Sequence, residues 1–257
     1  CRTIFLGCDD SRHSNDLNYT VLDIKAGAHY VAGDHTISFG AERATYDVFN
    51  IFLQNTEGTF LFPSISAFQT GDPLTIRYGN ARSQNPEDAA AEFSYNVNTV
   101  YVSDEFDITD SASATVGIRY DWYTSNSLPP LNANFVARNG FANTENLDGK
   151  GILQPRFGFE WNLSDRLKLR GGAGLFAGGN PNVWISNSYS NDGLRNIQFE
   201  ARSPTAAGFL PITNLLTTPN LNGERTPGAG QPNQLNALWG IPNYLFNAVG
   251  SGTANST

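Results

Sequence analysis

Methionine is absent from all 257 residues, cysteine occurs only as Cys1 and Cys8, and there are three histidines. Charge is scarce too: 16% of residues are Asp, Glu, Lys or Arg, against about 25% in soluble domains. Basic residues are the scarcer kind, 16 Lys plus Arg against 24 Asp plus Glu, giving a net charge of −8. That balance excludes the basic stripe of a nucleic-acid binder, so no nucleic acid is expected as a partner. No apolar run approaches the roughly 18 residues of a membrane-spanning helix. Without methionine at position 1 the chain reads as processed, or as a piece of a longer one. Cys1 and Cys8 suggest a small disulfide loop made in an oxidising compartment; two free thiols are the alternative.

What the chain has instead is glycine (25 residues), asparagine (28) and aromatics (12%). This mixture favours β structure with long polar loops over helices, which draw on Ala, Leu, Glu and Lys. Period-two alternation is the strongest pattern. Val116, Ile118, Tyr120 and Trp122 alternate with Thr115, Gly117, Arg119 and Asp121. Phe157, Phe159, Trp161 and Leu163 alternate with Arg156, Gly158, Glu160 and Asn162. Leu167, Leu169, Ala173 and Leu175 alternate with Lys168, Arg170, Gly172 and Gly174. Each set predicts a strand with one apolar and one polar side. Noisier versions run over 22–30, 37–42 and 100–108, where Asp104 interrupts the apolar side.

Six strands in three hairpins follow, at 18–48, 92–124 and 152–177. Their connections alternate short and long: tight turns at Gly33-Asp34-His35, Asp110 to Ser113 and Ser164 to Arg166, then loops of about 40 residues from Asn50 to Ala91 and about 27 from Ser125 to Gly151. Such alternation belongs to transmembrane β-barrels. Segments of about 10 to 14 residues, against the usual 5 to 6, agree with that. So do aromatics near strand ends, Tyr120, Trp122 and Tyr123 at one rim and Trp161 and Phe106 near the other. The expected fold class is all-β: a segment of an antiparallel transmembrane barrel, incomplete, with about six strands and long extracellular loops. Residues 1–178 form the partial wall and 179–257 an irregular extracellular loop region, with a packed patch around Trp239, Tyr244, Leu245 and Phe246. Within the first long loop, Ser64 caps one helical turn over Ile65 to Gln69 that stops at Gly71.

The barrel reading turns the polar faces inward. Glu105, Arg119, Asp121, Arg156, Glu160, Lys168 and Arg170 become candidate lumen-facing residues, because Lys or Arg on the lipid face near the midplane costs roughly 2–4 kcal/mol. Glycines among them either let a plug backbone approach or relieve crowding in a curved sheet. A soluble or surface β-sandwich is the alternative. It would bind glycans through loop aromatics such as Trp184, Tyr189 and Trp239, and would bury Val116, Ile118, Phe157 and Phe159 in one core.

Catalytic patterns are missing. There is no G-x-S-x-G and no H-E-x-x-H, and Glu105 and Glu160 fall in separate hairpins. His29 and His35 flank a tight turn and read as exposed hairpin residues. Gly172-Ala-Gly174-Leu-Phe-Ala177 matches the spacing of a dinucleotide fingerprint, but that motif needs a following helix, and Gly178-Gly-Asn-Pro is expected to prevent one. Asp9, Asp10 and Asp16, near Asn15 and Asn18, match no calcium loop and read as a solvated acidic segment. No enzyme, metal or cofactor is expected.

The hairpins resemble a known family. Tyr101-Val-Ser-Asp-Glu-Phe-Asp-Ile-Thr109, a turn, then Ala114-Thr-Val-Gly-Ile-Arg-Tyr-Asp121 is similar to a hairpin of TonB-dependent outer-membrane transporters. Gln154-Pro-Arg-Phe-Gly-Phe159 is similar to another of their strands. Leu169-Arg-Gly-Gly-Ala-Gly-Leu-Phe176, followed by Gly179-Asn-Pro-Asn-Val-Trp-Ile-Ser-Asn187, resembles the Oar-like subgroup, as does His35-Thr-Ile-Ser-Phe-Gly40. The likeness spans roughly residues 20 to 195, with Ser103 where the family usually has Gln. It implies active uptake of a large substrate across the outer membrane of a Gram-negative bacterium. The implied partners are outer-membrane lipid, a plug domain, the TonB complex and an unidentified transported ligand. No TonB box or plug stands in these residues, and such barrels have about 22 strands, so this reads as a middle portion of the wall.

Overall fold

A computed structural model describes residues 3–7, 9–179, 182–203, 210–211 and 243–251. Cys1, Cys8 and Trp239 lie outside the described residues, and so does the expected disulfide. Six long strands form one antiparallel sheet: β1 (Ser14–Ala32), β2 (His35–Leu53), β5 (Ala91–Thr109), β6 (Ala112–Thr124), β7 (Gly151–Ser164) and β8 (Leu167–Gly174), in spatial order β1-β2-β5-β6-β7-β8. The two outer edges, on β1 and β8, do not meet, so the barrel is incomplete.

Each hairpin turn is tighter than the sequence spacing suggested. Gly33-Asp34, Asp110-Ser111 and Asp165-Arg166 are two-residue connections, all at one end of the sheet. Gly33 has φ +61, the left-handed region that such turns require and glycine adopts freely. Register shifts next to two of these turns, at Asp107/Thr109 and Asn162/Ser164, mark bulges. The first hairpin is longer at its open end than 18–48, its ladder running from Ala32↔His35 up to Ser14↔Leu53.

The ladders sort every side chain to one of two faces. The row Ala28, Phe39, Val102, Ile118 and Pro155 crosses five strands on one face. One residue along, Gly27, Gly40, Tyr101, Arg119 and Gln154 cross on the other. The first face is apolar and uncovered: Val116 is 50%, Ile118 43% and Phe157 50% exposed. These are residues the sandwich alternative needed in a closed core. A bare apolar surface of this extent marks a binding or membrane surface. Tyr120 and Trp122 stack on it, with ring centroids 5.5 Å apart. Tyr123, expected in that rim, instead falls on the polar face, its ring 6.0 Å from that of Tyr95; strand alternation sends neighbours to opposite faces.

Asp104 does interrupt the apolar face. Its carboxylate meets His35 Nδ1 at 2.7 Å, and the His35 ring stacks on Phe106 at 5.3 Å. His29 falls on the polar face, its Nδ1 sharing a 2.8 Å hydrogen bond with Ser38 Oγ.

The long connections are far from irregular. Between β2 and β5 run β3 (Thr59–Leu61), α1 (Ile65–Thr70) and β4 (Thr75–Asn80). Ser64 Oγ accepts from the Ala67 amide and Gly71 closes α1 at φ +71, as the sequence suggested. Between β6 and β7 lies α2 (Ala133–Asn139). The region 179–257, expected to be irregular, contains α3 (Asn182–Ser190), β9 (Ile197–Arg202), β10 (Leu210–Pro211) and α4 (Asn243–Ser251). A helix therefore does follow Gly178-Gly-Asn-Pro, contrary to expectation, with α3 beginning at Asn182.

Strands from both regions pair across more than a hundred residues into a second sheet, in order β10-β9-β4-β3. Ile76, Tyr78, Ile197, Ala201, Leu245 and Val249 form its core, joined by Phe60, Phe62 and Phe199. This cap sits at the long-loop end. Beside it, Ile51 and Leu53 of β2 pack on Ala81, Ala89 and Ala90.

Candidate functional site: the polar face of the wall

All seven candidate residues share the polar face. Arg119 and Asp121 sit on β6, Glu105 on β5, Arg156 and Glu160 on β7, and Lys168 and Arg170 on β8. They do not form one cluster. Arg119 is the hub of the largest group: its Nε donates to Asp121 Oδ1 at 2.8 Å, and its Nη2 to Thr99 Oγ1 at 3.0 Å and Glu42 Oε2 at 3.1 Å. Thr99 Oγ1 donates to Asp121 Oδ1 at 2.7 Å and Gln154 Nε2 to Asp121 Oδ2 at 2.6 Å. Gln154 Oε1 then accepts the Ala177 amide at 2.8 Å, tying the chain beyond β8 to the network. Four adjacent strands are thereby cross-linked on one side. Asp121, Thr99 and Gln154 are buried, which makes a fully connected set matter: each group left alone there would cost about 1–3 kcal/mol.

The remaining candidates are local. Lys168 pairs with Glu160 across the β7–β8 ladder. Arg156 lies over the Phe176 ring, 4.9 Å from its centroid, a cation–π contact. Arg170 stands opposite Glu160 in the same ladder, close enough to act on its charge, and Glu105 shares the face outside these groups. Nothing in the sequence singled out Glu42, Thr99 and Gln154. Their only signal was alternate placement along a strand, and register decides which partners meet.

Glycines on this face have two explanations. A Cβ on Gly172 would stand 2.6 Å from the Phe157 carbonyl oxygen, so crowding between adjacent strands requires glycine. Gly40 is overlain by Tyr101, whose hydroxyl would be 2.6 Å from an added Cβ. Above Gly158 nothing comes nearer than 4.0 Å, leaving open floor.

Towards the long loops the polar face becomes aromatic. Tyr46 stacks on Tyr95 at 4.8 Å, and Phe93 on Tyr189 of α3 at 4.6 Å. Three hydrogen bonds seat the α3 region: Tyr95 Oη to Asn182 Oδ1 at 2.6 Å, Asn50 Nδ2 to Ser186 Oγ at 2.6 Å, and Tyr189 Oη to the Ser127 carbonyl at 3.0 Å. Tyr189 is thus consumed by packing, with burial raising its phenol pKa, whereas Trp184 is 75% exposed on the same helix.

The other motifs find ordinary roles. The dinucleotide-like Gly172 to Ala177 run lies on antiparallel β8 and the segment after it, not in a strand–helix turn of a parallel sheet. Asp9 caps a short 3-10 turn (Asp10–Arg12), and the Ser11 hydroxyl and amide hold its carboxyl below the ordinary range. Asp16 accepts from Asn18 Nδ2 at 2.7 Å. Among the described residues no three His, Cys, Asp or Glu side chains gather as metal ligands.

Comparison with known proteins agrees with this geometry. A family model described as an outer membrane beta barrel domain matches residues 3–247. Neither the curated proteins nor the solved structures give a match.

Proposed function

The chain belongs to the outer membrane beta barrel domain family, and from that premise we propose that it forms part of the wall of a TonB-dependent transporter of the Oar-like kind. The outer membrane is its location, and the incomplete sheet is its share of the barrel. In this reading the apolar face meets lipid and the polar face lines the lumen. Short turns lie on the periplasmic side and the cap outside. The wall performs no bond chemistry. A plug domain and the TonB complex are its partners, and a large ligand is its cargo.

One observation carries the reading beyond a plain barrel: the cap and α3 are built onto the loop end of the wall, with α3 seated on the polar face. A helix anchored there by Tyr95, Asn50 and Tyr189 supports a barrel that is closed at rest rather than a wide open pore. A closed barrel in turn fits energised uptake. The hairpin motifs at 101–121 and 154–159 support the same family reading.

Two measurements on the intact protein test it together. The TonB periplasmic domain is expected to cross-link to it, and planar bilayers containing it should show no steady conductance. Steady conductance without any TonB cross-link would instead identify a passive pore.

A further inference from the structure

The apolar face has a boundary, and one charge stands on it. Going up β2 on that face, Ile37, Phe39 and Ala41 give way to Arg43, Thr45 and Asp47. On β5 the same change comes between Val100 and Asn98, and on β6 after Trp122, at Thr124. Above the boundary runs a hydrogen-bonded polar rank. Thr45 Oγ1 donates to Asn96 Oδ1 at 2.8 Å, Asn96 Nδ2 reaches Thr124 Oγ1 at 3.2 Å, and Asn98 Nδ2 reaches the same oxygen at 3.2 Å.

Arg43 belongs to none of these bonds. It pairs in register with Ile24 and Asn98, with Trp122 next in the row. Across the six strands it is the one Lys or Arg on the apolar face. Among the described residues its guanidinium makes no hydrogen bond or ion pair, Asp47 included. At the opposite boundary the polar groups are matched within the protein, His35 to Asp104.

Height places the charge. The eight steps from His35 to Arg43 make about 27 Å of strand and, at a tilt of about 40°, about 21 Å along the membrane normal. The apolar band of such barrels is about 25 Å tall, so Arg43 lies just under its upper edge. Its aliphatic stem can run along Ala41 and Ile24 while the guanidinium reaches the headgroup layer. What that layer offers a planar fork of donors is phosphate.

From this we infer that Arg43 binds a phosphate group of an outer-leaflet lipid, with Trp122 alongside at the interface. The site depends on the barrel standing in the membrane, not on TonB-coupled uptake, so it stands or falls separately from the transport proposal.

The test uses the intact protein extracted from outer membranes into detergent, with lipid A and phosphatidylglycerol as separate probes and native mass spectrometry counting retained lipid. Arg43→Gln should lower retention of one or both about tenfold, the weight of one charge-assisted hydrogen bond. Arg43→Lys should keep most of it. A fall with lipid A alone assigns the glycolipid, and a fall with phosphatidylglycerol assigns a glycerophospholipid. Because the Arg43 guanidinium makes no hydrogen bond or ion pair among the described residues, Arg43→Gln should keep the wild-type heat-modifiable gel mobility. Undiminished retention of both lipids by Arg43→Gln would overturn the site.

Discussion

The two halves of β2 place similar residues in opposite circumstances. Near its turn, Phe39 projects from the apolar face and is 47% exposed. Farther along the same strand, Val48, Ile51 and Leu53 are buried, beneath α3 on one face and the 81–90 segment on the other. Both halves carry large apolar side chains, more of them in the upper half, and their surroundings differ. The upper half is organised like a water-soluble protein, with its apolar groups inside a packed core. The lower half is organised for a solvent that is itself apolar, so its hydrophobic side chains need no protein neighbour.

Removing packing should separate the halves most sharply. Ile76→Ala, in the fully buried centre of the cap, should cost the cap about 2–5 kcal/mol. Hydrogen exchange of the β4 and β9 amides would report it. Ile118→Ala on the bare face leaves no enclosed cavity, since acyl chains close around the smaller side chain, and should cost less in bilayers than the cap change.

Charge should reverse the order of sensitivity within the wall. Ile118→Arg faces the apolar side near mid-height and should cost about 2–4 kcal/mol in bilayers. Ser103→Arg, on the polar face of the neighbouring strand, should be nearly neutral. Urea titration of the protein folded into phosphatidylcholine vesicles measures both. Equal costs would erase the distinction between the faces.

pH should act on the cap from both sides. Burial pushes the Tyr78 phenol up to about 12, so the folded cap keeps a proton that the unfolded chain releases near 10. Its stability is whole below pH 10 and falls as pH rises from 10 towards 12, by roughly 2–3 kcal/mol in all. Glu200 works in the other direction. Burial raises its pKa, but hydrogen bonds from Arg77 and Arg202 outweigh that and hold it below its usual value. Its contribution is present above the ordinary carboxylate range and is lost as pH falls through it. Tyrosinate absorbance with cap hydrogen exchange, followed from about pH 2 to pH 12, checks both signs.

This division also explains what the sequence disclosed. Ile118, Tyr120 and Trp122 alternate with Arg119 and Asp121 because one solvent lies on each side, so β6 and its face were legible by period two alone. The α1 turn was legible because its cap, Ser64, and its stop, Gly71, are local signals. The cap sheet was hidden: β4 and β9 are six residues each and stand 117 positions apart at their nearest registered ends, Asn80↔Ile197. No local pattern announces such a pairing. The polar network was half visible for a similar reason. Arg119 and Asp121 are charged and stood out, while Glu42, Thr99 and Gln154 became partners only once register brought them opposite.

The central claim is that the apolar face looks into lipid and the polar face does not. Nitroxide labels placed singly at Val116, Ile118, Phe157, Gly117 and Arg156, in protein reconstituted into bilayers with Cys1 and Cys8 replaced by serine, test it directly. High accessibility to molecular oxygen and low accessibility to a water-soluble nickel chelate are expected at 116, 118 and 157, with the reverse preference at 117 and 156. Low accessibility to both reagents at 116, 118 and 157 would mean that these side chains lie in a closed protein core, and would contradict the account.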